Sequence, residues 1–246
     1  MPPDAAKSRR YAELDALRGI AVFLMIAYHA LFDFSYFFAF HIPFGLEAWS
    51  FLPPSIASIF LGLVGMSAAI SWQRTPPSLR MGKTLRRAAV LIGGACVITA
   101  VTWILEPEGP ILFGILHLIG VGVFLLLPFY RLGKWNVLAG FAFVLISAAM
   151  RDTYATTLLL VPLGITPVAY TALDYYPVFP WFGIILLGSG LAHLLYIPER
   201  RGFLRAADIS YPRALTWAGR HALFLYFIHQ PVLLGLLSAV VLLTSR

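Results

Sequence analysis

Apolar residues in this chain come in long runs separated by short polar breaks. A helix needs roughly 20 mostly apolar residues to cross the hydrocarbon of a bilayer, and segments 16–38, 54–73, 86–105, 110–130, 135–150, 178–197 and 219–243 meet or approach that length. The pattern predicts an all-α, polytopic transmembrane helix bundle of about seven spans. Residues 135–150 make the shortest span, and the apolar piece 153–170 reads as interfacial or re-entrant. The first run is too long for a signal-peptide core and is expected to be retained.

Turn signals mark the breaks. "PPSLRMGKTLRRAA", with Pro76 and Pro77, reads as a short connection, as do "LEPEGP" and "YRLGKW". The stretch 151–177 holds Pro162, Gly164, Pro167 and Pro177 with Tyr170, Tyr175 and Tyr176, aromatics that suit either an interfacial belt or the wall of an outer substrate cleft. No soluble domain or repeat is visible, so residues 9–243 read as one membrane domain and 1–8 as a cytoplasmic tail.

Charge orients the bundle. Every Lys and Arg except Arg151 and Arg246 falls at the N-terminus up to Arg18 at the entrance of the first span, in 74–87, in 131–134 or in 200–220. The positive-inside rule then puts the N-terminus in the cytoplasm. A formal net charge of +7 follows from those loops and gives no ground for a nucleic-acid partner. The partners implied are membrane lipids and whatever the polar residues bind. Cys96 is the single cysteine, which excludes a disulfide framework and a thiolate metal site.

The ionisable residues inside the spans change the picture, because a charge facing lipid costs about 2.5–3.5 kcal/mol on insertion scales. In "ELDALRGIAVFLMIAYHALFDF", residues Asp15, Arg18, His29 and Asp33 share one helical stripe at 100° per residue. At 1.5 Å per residue, His29 lies roughly 16 Å beyond Arg18. Asp33, one turn after His29, is expected to accept a hydrogen bond from the imidazole and support its positive charge, or the pair forms a structural clamp. His117 in "FGILHLIG", His193 in "GSGLAHLLY", and His229 with Gln230 in "GRHALFLYFIHQPVLL" add imidazoles to the spans. Each fits packing as well as chemistry; together they suggest a polar cavity. Arg18 and Arg220 at the cytoplasmic mouths, with His221 beside the latter, are suited to phosphate, and Gly19 permits close approach of backbone or ligand. In "YYPVFPWFGIILLGSGLAH", Pro180 suits a first helical turn and Gly183, Gly188 and Gly190 suit close helix packing, while Trp181 is a pocket wall or an interfacial anchor. Beyond His29 and Asp33 no helix carries closely spaced metal ligands, so no metal is assigned.

Those same three stretches, "ELDALRGIAVFLMIAYHALFDF", "FPWFGIILLGSGLAH" and "GRHALFLYFIHQPVLL", resemble bacterial and archaeal proteins similar to heparan-alpha-glucosaminide N-acetyltransferase, in the superfamily of membrane acyltransferases. The resemblance covers about residues 9–243. It implies an integral protein of the prokaryotic cytoplasmic membrane that takes an acetyl or other acyl group from cytoplasmic acetyl-CoA to an extracytoplasmic sugar amine or hydroxyl. It further implies His29 as base or transient acyl carrier, Arg18 as the residue that receives the coenzyme A phosphates, and His229 as the match to the family's final-span histidine. The residues themselves add Asp33 and Gln230 around His29, Gly19, Arg220 and His221 at the coenzyme mouth, and a cleft with His117, Asp174 and Trp181 for the glycan acceptor. A homodimer is compatible with this architecture. The rival classes are a proton-coupled transporter or flippase using the His and Asp residues, a cofactor-bearing redox protein, and a scaffold.

Overall fold

The structure, a computed structural model, describes residues 11–38, 46–197 and 210–244, and the side chains of all these except 36–38, 46–49 and 244. The tail 1–8 and the basic residues Lys7, Arg9, Arg10, Arg200, Arg201, Arg205 and Arg246 lie outside the described residues. Helices α1 (Ala12–Phe38), α2 (Leu46–Arg74), α3 (Pro77–Leu105), α4 (Ile115–Phe129), α5 (Asn136–Ala149), α6 (Val178–Leu195), α7 (Arg213–Arg220) and α8 (Ala222–Thr244) account for the regular structure described, with two 3-10 turns.

All seven apolar segments are helical, and five of the helices are long and apolar enough to cross a membrane: α1, α2, α3, α6 and α8. With 15 and 14 residues, α4 and α5 reach only about 22 and 21 Å at 1.5 Å per residue, short of the ~30 Å hydrocarbon core. A 3-10 turn, Gly133–Trp135, leads into α5. The protein is an all-α integral membrane protein. Large apolar side chains such as Val97, Ile104, Leu145, Leu236 and Leu243 stand exposed on the helices, which is the expected face towards lipid, a solvent as apolar as leucine.

Two connections differ from the sequence expectation. Pro76 and Pro77 do not open a loop running to 87: Pro77 occupies the first turn of α3 after an extended Pro76, where a missing N–H costs nothing. Arg80, Lys83, Arg86 and Arg87 therefore ride on helix. Residues 151–177 contain no helix able to span. A 3-10 turn at Leu158–Leu163 ends in left-handed Gly164, φ 104°, and the Ala155 N–H donates to the Thr166 carbonyl at 3.1 Å, closing the loop.

The chain divides into two compact units, one of residues 1–60 with 202–246 and the other of residues 61–201. In the first unit α1 packs along α7 and α8. The α1–α7 crossing is as close as backbones allow: a Cβ on Gly19 would overlap the Leu215 carbonyl, and one on Gly219 the Asp15 carbonyl. Leu14, Ala21, Val22 and Met25 are the buried apolar side of α1.

The second unit is centred on α6. Gly188 abuts the backbone of Gly62 on α2, and Gly183 that of Gly140 on α5, as the small residues of α6 suggest. Phe182, 1% exposed, meets Phe129 and Phe143 edge-on at ring distances of 5.6 and 5.3 Å. The fully buried Asn136 donates to Ser189 at 3.1 Å, pairing two polar side chains that hydrocarbon would penalise, while Asn136 Oδ1 has no partner among the described residues.

Candidate active site

The polar stripe of α1 points into the first unit, against α7 and α8. Lower on the stripe, Arg18 Nη1 donates to Asp15 Oδ1 at 3.0 Å and to the Gly219 carbonyl at 3.4 Å. Arg220 reaches the same carboxylate, its Nε 4.0 Å from Asp15 Oδ2, and is steadied by donating to the carbonyl and hydroxyl of Thr216. His221 sits at the break between α7 and α8, its Nδ1 donating to the Trp217 carbonyl at 2.8 Å. Arg18, Gly19, Arg220 and His221 are thus brought to one place, with Gly19 given over to the α7 backbone.

About three turns further on, two imidazoles meet. The rings of His29 and His229 lie 4.9 Å apart at 76°. Each is held by its own helix: His29 Nδ1 is 2.9 Å from the Met25 carbonyl and His229 Nδ1 is 2.7 Å from the Tyr226 carbonyl. A carbonyl only accepts, so each neutral ring carries its proton on Nδ1 and presents an Nε2 lone pair. His229 is 8% exposed, and its buried Nε2 finds no partner among the described residues.

Asp33, 5% exposed, is engaged by Gln230, whose amide nitrogen donates to both carboxylate oxygens at 3.2 and 3.0 Å. The expected His29–Asp33 hydrogen bond is replaced by two others, because the i−4 carbonyl of Met25 takes the imidazole proton and Gln230 reaches across from α8. Gln230 Oε1 is buried without a partner among the described residues. The surface facing this cluster is therefore rich in acceptors, His29 Nε2, His229 Nε2 and Gln230 Oε1.

In the second unit, His117, Asp174 and Trp181 gather round the start of α4. Asp174 Oδ2 accepts from the Ile115 N–H at 2.9 Å, capping the helix. His117 Nδ1 accepts from the Gly114 N–H at 3.3 Å and Nε2 lies 3.2 Å from Thr99 Oγ1, whose own hydroxyl donates to the Ile111 carbonyl at 2.6 Å. Both ring nitrogens thus serve the joint between α3 and α4. Trp181 packs edge-on against Tyr176 at 4.8 Å. Nearby, burial and then neighbouring Tyr170 push the Tyr175 hydroxyl up to about 12, and burial followed by the Asp174 charge raises Tyr170. Both phenols stay protonated at neutral pH, and Tyr175 donates to the Val161 carbonyl at 2.8 Å. His193 donates to the Ser189 carbonyl at 2.9 Å, a helix-internal tie.

No group of three or more His, Cys, Asp or Glu able to hold a metal occurs among the described residues. Sequence reasoning missed Met25 and Tyr226, whose backbone carbonyls set the tautomers; the signal was a carbonyl three or four residues before each histidine. Comparison with known proteins matches residues 10–231 to the family described as heparan-alpha-glucosaminide N-acetyltransferase, catalytic. No curated protein and no solved structure matches the chain. Since that match runs unbroken from the start of α1 through the His229-Gln230-Pro231 turn of α8, over both described units, the chain belongs to the heparan-alpha-glucosaminide N-acetyltransferase family of membrane proteins.

Proposed function

We propose that this protein is a membrane acyltransferase that moves an acetyl group from acetyl-CoA to a sugar amine or hydroxyl. The observation that carries this is the paired imidazoles of α1 and α8, with a free Nε2 on a His29 ring already oriented through Nδ1. In the single membrane domain of residues 9–243, the seven apolar helices are taken as crossings, with the N-terminus in the cytoplasm of a prokaryotic cell and the acceptor on the outer side. The membership in an acyltransferase family and the basic cluster at the start of α1 support this orientation.

Arg18 and Arg220 meet the coenzyme phosphates, displacing part of the Asp15 interaction, and Gly19 keeps α7 near enough for both guanidiniums and His221 to face one ligand. His29 Nε2 takes the proton of the acceptor amine or hydroxyl as its heteroatom attacks the thioester carbonyl. The Asp33 carboxylate, fixed by Gln230, stabilises the imidazolium. The C–S bond then breaks and His29 returns the proton to the departing thiolate of coenzyme A. His229 Nε2 and Gln230 Oε1 accept hydrogen bonds from the acceptor and orient it. In the covalent variant His29 Nε2 attacks the thioester itself and hands the acyl group on. His117, Asp174 and Trp181 are assigned to the acceptor side through the loop they shape at the start of α4.

The test is incubation of the purified full chain with radiolabelled acetyl-CoA, alone and with a panel of amino sugars and cell-envelope glycans. Labelled acceptor is expected, dependent on the chain. Failure with every acceptor, together with substrate-driven proton flux in liposomes, would replace this function by the proton-coupled transporter. Arg18→Ala is expected to weaken equilibrium coenzyme A binding about tenfold, the loss of one charge-assisted contact. Unchanged affinity in the folded variant would remove Arg18 from the coenzyme site.

A further inference from the structure

The second unit holds a cavity that acyl transfer at His29 does not use. Its volume is about 120 Å³, and it opens where α2 ends, α3 begins and α4 ends, lined among others by Thr75, Arg80, Lys83, Thr84, Arg87 and Tyr130. No carboxylate lines it. With α3 starting at Pro77, residues 80, 83, 84 and 87 follow the i, i+3, i+4, i+7 rule and share one helix face.

Local contacts hold the cations inward. The Thr75 carbonyl accepts from Arg80 Nε at 2.9 Å, and Thr75 Oγ1 accepts from Lys83 Nζ at 3.0 Å while its own hydroxyl donates to the Ser71 carbonyl at 2.6 Å. The Arg80 guanidinium lies over Trp72, 5.4 Å from the ring centre, and Tyr130 stacks on the same indole at 4.2 Å. These contacts use one nitrogen of Arg80 and one proton of Lys83. The terminal nitrogens of Arg80 and the remaining Lys83 protons have no protein partner among the described residues. Thr84 is 8% exposed and its hydroxyl likewise makes no hydrogen bond among the described residues. Like charges converging on a half-enclosed space repel one another, and a multiply charged oxyanion relieves that repulsion while accepting from several donors.

We infer that this cavity binds a phosphate group, held by the Arg80 fork, Lys83 and the Thr84 hydroxyl. Its size suits a phosphate rather than a whole nucleotide. The phosphate belongs either to a water-soluble phosphoester or to a phospholipid headgroup, which offer the same chemistry. None of the residues that line this cavity is Arg18 or Arg220 of the first unit.

The experiment uses the full chain in a maltoside detergent that carries no phosphate, titrated with inorganic pyrophosphate and followed by calorimetry. In parallel, phosphatidate retained from mixed phosphatidate–phosphatidylcholine nanodiscs is counted by native mass spectrometry. Saturable binding of at least one probe is expected, weakened about tenfold or more by Arg80→Gln and by Lys83→Gln, because each removes a charge-assisted donor. Thr84→Val, nearly equal in size, weakens it less. Arg86→Gln, on the same helix but outside the cavity, leaves it unchanged. Pyrophosphate responding in this pattern identifies a water-borne source, and phosphatidate alone responding identifies a lipid. The inference is overturned if neither probe saturates, if the cavity variants leave binding intact, or if Arg86→Gln costs as much as they do. Acetyl transfer is not among the readouts, so this result stands apart from the fate of the acyltransferase assignment.

Discussion

His29→Ala is expected to lower acetyl transfer by about 10²–10⁴-fold, the usual contribution of a general base, and by more if the ring carries the acyl group. The helix itself should survive the change. The close α1–α7 approach at Gly19 and Gly219 and the Gln230–Asp33 bond do not involve His29, and what is lost is the hydrogen bond to the Met25 carbonyl and one ring contact each with Tyr28 and His229. Thermal stability of the purified variant, measured beside transfer, separates the two effects. The covalent and direct routes part in an acceptor-free experiment: labelled acetyl-CoA leaves acyl-imidazole on the wild-type chain only if His29 is the carrier, and His29→Ala removes that label. A folded variant with full transfer would end the assignment of His29.

Gly219→Ala should do the most structural damage of any single methyl in the first unit. The added Cβ overlaps the Asp15 carbonyl oxygen, which belongs to helical backbone and cannot rotate away as a side chain would. Helices α1 and α7 must separate, stretching the Arg18 contact to the Gly219 carbonyl and drawing Arg220 from Asp15. Overpacking of this kind costs ~1–3 kcal/mol and sometimes more, so a marked fall in melting temperature and a loss of coenzyme A binding are expected together. Gly235→Ala is the control: on α8, in the same unit, its Cβ would meet nothing within 4 Å, and replacing a helical glycine gains up to ~1 kcal/mol of propensity. Equal melting temperatures for the two variants would show that the α1–α7 contact does not hold the unit together.

Much of the fold was legible from local pattern. The long apolar runs located seven helices, since bilayer thickness imposes run length directly. Legibility failed where helix ends were decided by more than hydropathy. Pro77 was read as a breaker although the first turn of a helix tolerates it, α4 is shorter than its apolar run because 110–114 and Tyr130 belong to the turns at its ends, and α5 loses Trp135 to a 3-10 turn and Met150 to the turn that follows.

The candidate site divides the same way. A 100° step per residue was enough to put Asp15, Arg18, His29 and Asp33 on one stripe, and the cost of ionisable groups in lipid was enough to turn that stripe towards protein. Which groups answer it from α8 was beyond periodicity, since Gln230 is 197 positions from Asp33. The cavity of α2, α3 and α4 is a similar case: Arg80 and Lys83 looked like ordinary positive-inside anchors until Thr75 and Trp72 were seen to hold Arg80 and Lys83 inward.

By itself, then, the chain's order of residues determined the all-α membrane class, the helix stripes, the small residues for close crossings and the imidazoles worth suspecting, because each follows from run length, helical period or side-chain size. The tertiary structure alone decided that His229 of α8 meets His29 of α1, that Gln230 rather than His29 satisfies Asp33, and that α7 lies against Gly19. Hydrogen bonds and close packing are short-ranged, so their partners are chosen by whatever the fold brings within about 3–4 Å, and sequence distance carries no trace of that choice.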